Sequence, residues 1–202
     1  MKLILLTTPR FFVEEDKILT DLFDEGLDVL HVRKPGEEPI YFERLLTLLP
    51  KHYRRQIVTH EHFYLKEEFQ LMGIHTSRYN PTEPDGYKGH KSETVHHIDE
   101  LREAKKRNSY VFLSPIFDSI TNTNYKAGFT TDELRQASKE GLIDKKVMAL
   151  GGIEASRIRQ LKELGFGGAV LSGDIWSKFN IHSTTDYKEV LEHFRELRRA
   201  VG

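Results

Sequence analysis

The sequence predicts a (β/α)8 barrel: eight parallel strands alternating with helices in one domain spanning residues 1–202. Three observations carry this reading. Short apolar runs alternate with helix-patterned segments from end to end, as successive βα units around a parallel sheet require. Eight such runs argue for a closed barrel over an open sheet, and 202 residues sits at the lower limit for eight units. The third is a pair of echoing stretches, 146–153 and 167–173. Each is an apolar run ending in small residues (Gly151-Gly152, then Ser172-Gly173), and Ile158, Leu161 and Leu164 between them keep helical spacing. Small residues at strand ends leave backbone N–H groups uncovered, which is how the last two turns of such a barrel hold a phosphate.

The first strand covers residues 3–8, and the helix after it 13–25, with Ile18, Leu22 and Phe23 on one face. The second strand is 27–33 and its helix 41–49. A third strand at 56–60 precedes a helix at 63–70 and a fourth strand at 72–76. Residues 80–89 contain Pro81 and Pro84 and form a loop, so the helix after strand four is short or missing. A weakly patterned fifth strand at 92–96 leads into a helix at 97–107. The sixth strand, 110–114, is followed by a long polar loop and a helix at 131–140. The glycine-terminated runs supply strands seven and eight. Residues 174–177 start a short helix after the last strand, and 187–201 closes the chain.

Composition narrows the function classes. Thirty basic and 31 acidic residues leave a formal net charge of −1, so no general field draws the chain to nucleic acid or anionic lipid. The basic runs at 54–55, 105–107 and 198–199 read as solvated helix faces. With no cysteine there is no disulfide framework and no cysteine nucleophile. No apolar run approaches membrane-spanning length, and with the first strand at the very start of the chain no signal peptide is expected. The expected compartment is the cytoplasm.

In such barrels chemistry collects where the strands end. The strand ends here are Thr7 and Thr8, His31 and Arg33, His60 and Glu61, His75 and Ser77, Thr94, Ser114 and Pro115, Gly151 and Gly152, and Ser172 and Gly173. Three successive strands end in histidine, and a buried imidazole needs a partner. One reading is a transition-metal site of His31, His60 and His75, with Glu61 and His62 near, as in a His-rich barrel metallohydrolase. The ends of strands five to eight, however, offer no carboxylate to complete it. The other reading is a phosphate or diphosphate site. Arg33 can form two parallel bonds to phosphate oxygens. Glu61 offers Mg²⁺ the single carboxylate that ion takes beside a phosphorylated ligand. Thr94, Ser119, Thr121 and Ser172 supply hydroxyls, and Gly152, Ser172 and Gly173 supply N–H groups. The polar loop at 118–129 has the composition of a lid.

These residues also carry a family resemblance. The chain has His31-Val32-Arg33-Lys34-Pro35, Thr59-His60-Glu61-His62, Gly73-Ile74-His75-Thr76-Ser77 and Thr94-Val95-His96-His97 before Asp99-Glu100. Ser114-Pro115-Ile116-Phe117, Ala149-Leu150-Gly151-Gly152-Ile153 and Gly168-Ala169-Val170-Leu171-Ser172 follow. In order and spacing this resembles the thiamin phosphate synthase superfamily, which includes the thiazole tautomerases, over nearly the whole chain. The resemblance implies a transferase that joins hydroxymethylpyrimidine diphosphate to thiazole phosphate, with diphosphate leaving. It implies Arg33, His60 and Thr94 as catalytic residues and Glu61 and Asn80 as metal ligands. His31, Lys34, His75, Ser119, Thr121, Gly151, Gly152, Leu171, Ser172 and Gly173 are the implied substrate and phosphate contacts. Arg33, Thr94, Thr121, Gly152 and Ser172 match the family pattern directly. Elsewhere the chain departs from it: His31 replaces a Gln, His60 an Asn and Pro35 the diphosphate Lys, with Lys34 adjacent. Glu61 replaces a metal-binding Asp, Asn80 falls near the second such Asp, and Asn122 near the Lys of the mobile loop. The implied Mg²⁺ requirement is therefore weak or substrate-dependent. Implied partners are the phosphorylated pyrimidine and thiazole, with no nucleic acid and no membrane, and a homodimer remains open. Two alternatives stay beside the synthase: a tautomerase-like enzyme acting on thiazole phosphate, and a non-catalytic binder of it. The tautomerases use a His where this chain has Ser114.

Overall fold

The computed structural model describes residues 1–122, 124–180 and 187–202. Its strands close into a barrel in chain order, every neighbouring pair parallel. They are β1 (Lys2–Leu6), β2 (Val29–Val32), β3 (Ile57–Thr59), β4 (Gly73–Thr76), β5 (His90–Val95), β6 (Tyr110–Leu113), β7 (Val147–Leu150) and β8 (Gly168–Leu171). The helices are α1 (Glu15–Asp24), α2 (Pro39–Leu48), α3 (Leu65–Glu68), α4 (Leu101–Arg107), α5 (Thr131–Lys139), α6 (Ile158–Glu163), α7 (Gly173–Trp176) and α8 (Lys188–Val201). No helix joins β4 to β5, in keeping with the two prolines of that connection. Among the described residues no helix is long and apolar enough to cross a membrane.

Strand alternation divides the apolar residues into two shells. Ile4, Val29, Val58, Tyr110, Phe112, Met148 and Val170 fill the barrel interior. The intervening positions, among them Leu3, Leu5, Leu30, Val111, Ala149 and Leu171, pack outward against helix residues such as Ile18, Leu22, Leu45, Leu134, Leu161 and Phe194. Burial on both faces explains why the strands read as unbroken apolar runs.

Several strands stop before their expected ends because side chains take over from the ladder at the C-terminal rim. The Thr7 hydroxyl accepts from the Arg33 N–H at 3.0 Å and donates to the Arg33 carbonyl at 3.1 Å. The Thr59 hydroxyl donates to the Glu61 carbonyl at 2.6 Å. Because His90 and Lys91 pair with Gly73 and Ile74 of β4, β5 starts at His90, earlier than the weak pattern indicates. Its His90 ring meets Tyr110, and its Ser92 and Thr94 hydroxyls both reach His75. The short helix after β8 forms as expected and is tied from both sides. The Trp176 indole N–H donates to the Leu6 carbonyl at 2.8 Å, and His193 on α8 lies 2.6 Å from the Asp174 carboxylate.

Candidate active site at the barrel mouth

Loops following the strands enclose two cavities. The first, about 250 Å³, lies over β6, β7 and β8 and includes Ser114, Ser119, Thr121, Gly151, Gly152, Ser172 and Gly173. Its floor is a backbone junction. The Ile116 N–H donates to the Leu150 carbonyl at 2.9 Å and the Phe117 N–H to the Gly151 carbonyl at 3.0 Å. Pro-Ile-Phe and Gly-Gly-Ile, two of the segments that carry the resemblance, are thus docked on each other. Docking requires the glycines: Gly151 and Gly152 hold φ of +103° and +62°, and a Cβ on Gly152 would stand 2.2 Å from the Asp118 carbonyl oxygen. The N–H groups of Gly152, Ser172 and Gly173 find no acceptor among the described residues. Several uncovered N–H donors in one concavity suit an anion.

The polar loop folds over this cup. Thr121 lies so close to Gly173 that a Cβ there would come within 2.8 Å of the Thr121 methyl. The Ser119 hydroxyl accepts from the Asn122 N–H at 3.1 Å, and the Ser119 N–H donates to the Tyr125 carbonyl at 2.8 Å. The Asp118 carboxylate accepts from the Ala127 N–H at 2.7 Å. Thr123 of the loop lies outside the described residues.

A second cavity of about 420 Å³ opens over β2, β3 and β4 and includes Arg33, Pro35, His60, Glu61, Ser77 and Asn80. The Arg33 guanidinium makes no side-chain hydrogen bond or ion pair among the described residues. The Glu61 carboxylate accepts from the Lys34 N–H at 3.0 Å, and burial raises its pKa against the pull of nearby cations. The Asn80 amide nitrogen donates to the His60 carbonyl at 2.9 Å, leaving its Oδ1 available. The Glu61 carboxylate, which has no salt-bridge partner among the described residues, and the Asn80 amide oxygen line the same cavity, and both are oxygen donors of the kind Mg²⁺ takes.

Two expected contacts point elsewhere. Lys34 is fully buried; its amine is paired with Glu15, bonded to the Thr8 hydroxyl and the Arg10 carbonyl, and covered by the Phe11 ring. That amine is committed to the β1–α1 connection and not to the mouth. The Leu171 side chain belongs to the outer shell, so only its backbone faces the cup.

The three histidines do meet inside the barrel below the second cavity. His31 Nδ1 lies 2.9 Å from His60 Nε2, and His31 Nε2 lies 2.6 Å from the Tyr110 hydroxyl. His75 bonds Ser92 through Nδ1 and Thr94 through Nε2, both at 2.8 Å. Candidate ligand nitrogens of all three lie within 4.8 Å of one another. However, His60 and His75 are stacked, with ring centroids 4.2 Å apart and planes inclined by 20°. Imidazole lone pairs lie in the ring plane, so two stacked rings cannot aim at one ion. Glu61 and His62 do not join the group, and His62 Nε2 is spent on the Glu37 carbonyl at 3.0 Å. The arrangement suits hydrogen bonding and not metal coordination. Burial first, and then the neighbouring rings and Arg33, hold the His60 pKa well below its usual value; His75 falls to about 3. His31 is depressed in the same way. Sequence reasoning missed Ser92 and Tyr110. Their signal was positional: Ser92 precedes Thr94 by two residues and Tyr110 precedes Ser114 by four, so both point inward with them.

The thiamine monophosphate synthase family model matches residues 7–175. A thiamine-phosphate synthase of Dictyoglomus turgidum is 24% identical over 177 residues, covering 83% of this chain and 78% of its own. Among solved structures, a thiamine phosphate pyrophosphorylase from Bacteroides thetaiotaomicron is 54% identical with a TM-score of 0.91, covering 99% of this chain and 97% of its own. Its counterpart from Pyrococcus furiosus shares the fold at 16% identity, with a TM-score of 0.76 and coverage of 99% and 95%. The matched segment runs from the first rim threonine to the short helix beyond β8, taking in both cavities, and the chain belongs to the thiamine monophosphate synthase family.

Proposed function

We propose that this chain joins hydroxymethylpyrimidine diphosphate to thiazole phosphate with release of diphosphate, both substrates meeting at the barrel mouth. The observation that carries the reading is the pairing of two unlike cavities at one rim. One is a cup of uncovered N–H groups at Gly152, Ser172 and Gly173; the other holds a free guanidinium and a half-buried carboxylate. The cup takes the thiazole phosphate under Thr121. Arg33 faces the departing diphosphate, where negative charge builds, and a fixed guanidinium in a partly dry site stabilises it. Carbon–oxygen cleavage leaves a pyrimidine-methyl cation, which the thiazole nitrogen captures. A positive charge beside that cation would oppose its formation. The depressed pKa values of His31, His60 and His75 keep those imidazoles neutral at physiological pH. His60 and Thr94 then contact the pyrimidine as neutral hydrogen-bonding groups. Glu61 and the Asn80 amide oxygen would hold Mg²⁺, which neutralises diphosphate oxygens when bound.

The test is a synthase assay with both substrates across a Mg²⁺ titration. Glu61→Gln is expected to lose at least ~10-fold in kcat/KM, about 1.4 kcal/mol of transition-state stabilisation. Asn80→Asp restores a second carboxylate and should lower the Mg²⁺ concentration needed for half-maximal rate. Robust turnover untouched by Glu61→Gln would place the metal elsewhere. No turnover in any variant would end the synthase reading.

A further inference from the structure

Lys34 opens a turn, Lys34-Pro35-Gly36-Glu37, closed by the Glu37 N–H donating to the Lys34 carbonyl at 3.1 Å. Pro35 and Gly36, the latter at a φ of +78°, are the residues a type II turn takes at its two central positions. Pro35 and Gly36 line the second cavity beside Arg33, while the Lys34 amine is withdrawn from it. That amine lies 2.5 Å from the Glu15 carboxylate and donates to the Arg10 carbonyl at 2.9 Å and the Thr8 hydroxyl at 3.3 Å. An ammonium has three N–H donors, and here three acceptors meet them. None is left for a ligand.

The backbone around this anchor leads into the cavity. The Thr7 hydroxyl bonds both the N–H and the carbonyl of Arg33, and one residue on the Lys34 N–H donates to the Glu61 carboxylate at 3.0 Å. Arg33 therefore precedes the anchored residue in the chain, and Glu61 hangs on its amide. The loops after β1 and β2 are also joined by the Arg10–Glu37 ion pair, but the Arg10 side chain is 78% exposed and that pair contributes little. The Glu15 and Lys34 side chains are 2% and 0% exposed. Removing one member of a buried pair leaves a charge stranded out of water, whereas removing both can leave stability almost unchanged.

We propose that Lys34 and Glu15 are positioning residues for a diphosphate group in the second cavity. Seated on Glu15, the Lys34 amine ties the loop after β2 to the loop after β1. That tie aims the Arg33 side chain and, through the Lys34 N–H, holds the Glu61 carboxylate. The pair thus sets diphosphate affinity without touching the ligand. That the diphosphate belongs to a pyrimidine substrate rests on the synthase reading; the positioning role does not.

The experiment compares wild type with Glu15→Gln, Lys34→Met and the double variant. The probe is inorganic diphosphate with Mg²⁺, titrated calorimetrically into the full chain. All three variants should bind it at least ~10-fold more weakly, and the double variant no more weakly than the singles, because the pair acts as a unit. In urea the double variant should unfold at a higher midpoint than either single variant, since no lone charge is left buried. Stability that recovers while affinity does not separates positioning from folding, and the double variant keeps the test open where a single one fails to fold. Thiazole phosphate, which takes the other cavity, should keep its affinity within about two-fold. Four results would overturn the role: diphosphate affinity that recovers with stability in the double variant, parallel loss of thiazole phosphate, no diphosphate binding by wild type, or tighter binding by Glu15→Gln. The last would mean that a freed Lys34 amine contacts the diphosphate itself. The expected binding pattern in a chain without turnover would support the positioning role and end only the synthase reading.

Discussion

At Gly152 the backbone sits at a φ of +62°, where an L side chain costs about 1–2 kcal/mol, and a methyl would overlap the Asp118 carbonyl. Gly152→Ala should therefore push the 115–118 turn away and misalign the N–H cup. The expected result is binding of thiazole phosphate weakened at least ~10-fold, about 1.4 kcal/mol by calorimetry; unchanged affinity would put the phosphate elsewhere. This residue was legible in the sequence because two successive strands that end in small residues leave a row of bare backbone donors at one rim. Lys34 was not. It stands one position from the lysine that the resemblance leads one to expect, and it reads as that lysine's substitute. What decides its direction is Glu15, whose carboxylate pairs with it across the β1–α1 connection. No local pattern announces a partner that arrives only when the barrel closes. Leu171 failed for a simpler reason, since strand parity gives the inward position to Val170.

At the level of elements, the loop after β6 matters as much as the strands. Its composition identified it as a cover, but not how it is held. Asp118 staples it, accepting from the Ala127 N–H and lying 3.3 Å from the Lys126 amine. The lysine pair is exposed and contributes little, so the bond from the Ala127 N–H is the main tie. Asp118→Ala should then loosen Thr121 over Gly173 and raise the KM for thiazole phosphate roughly five-fold. The Mg²⁺ dependence should stay as it was, because Glu61 lies in the other cavity. A change in both together would mean that the loop also orders the diphosphate side. β5 shows the opposite limit of legibility. Its inward face is His90, Ser92 and Thr94, so it has no apolar stripe to find; its length and role become apparent only through partners on β4 and β6.

Across the whole molecule, the parallel α/β topology was readable because apolar runs alternating with helices need burial on both faces, and eight strands, counting the weakly patterned β5, point to a closed barrel. The interior chemistry was less readable, because three histidines at strand ends fit a metal as well as a hydrogen-bonded cluster until ring stacking separates the two. That cluster has a consequence for folding. In the unfolded chain these imidazoles protonate below about pH 6.5. In the fold, His31, His60 and His75 stay neutral well below that, His75 down to about 3. The unfolded state therefore binds more protons in this window, and stability falls as pH drops below about 6.5, by up to about 1.4 kcal/mol per pH unit for each imidazole. Glu15 and Glu61 act in the opposite sense, since burial raises both above the ordinary 4.5 and acidification relieves their charge. Three imidazoles outweigh two carboxylates, and His90, depressed to about 4, adds to the larger side. Urea unfolding at pH 7, 6 and 5 should show a loss of at least ~2 kcal/mol over the range, with His75→Gln flattening the slope by about 1.4 kcal/mol per unit below pH 6. Stability that stays level or rises on acidification would mean that the interior admits water and charge, and the neutral core on which the proposed chemistry depends would not exist.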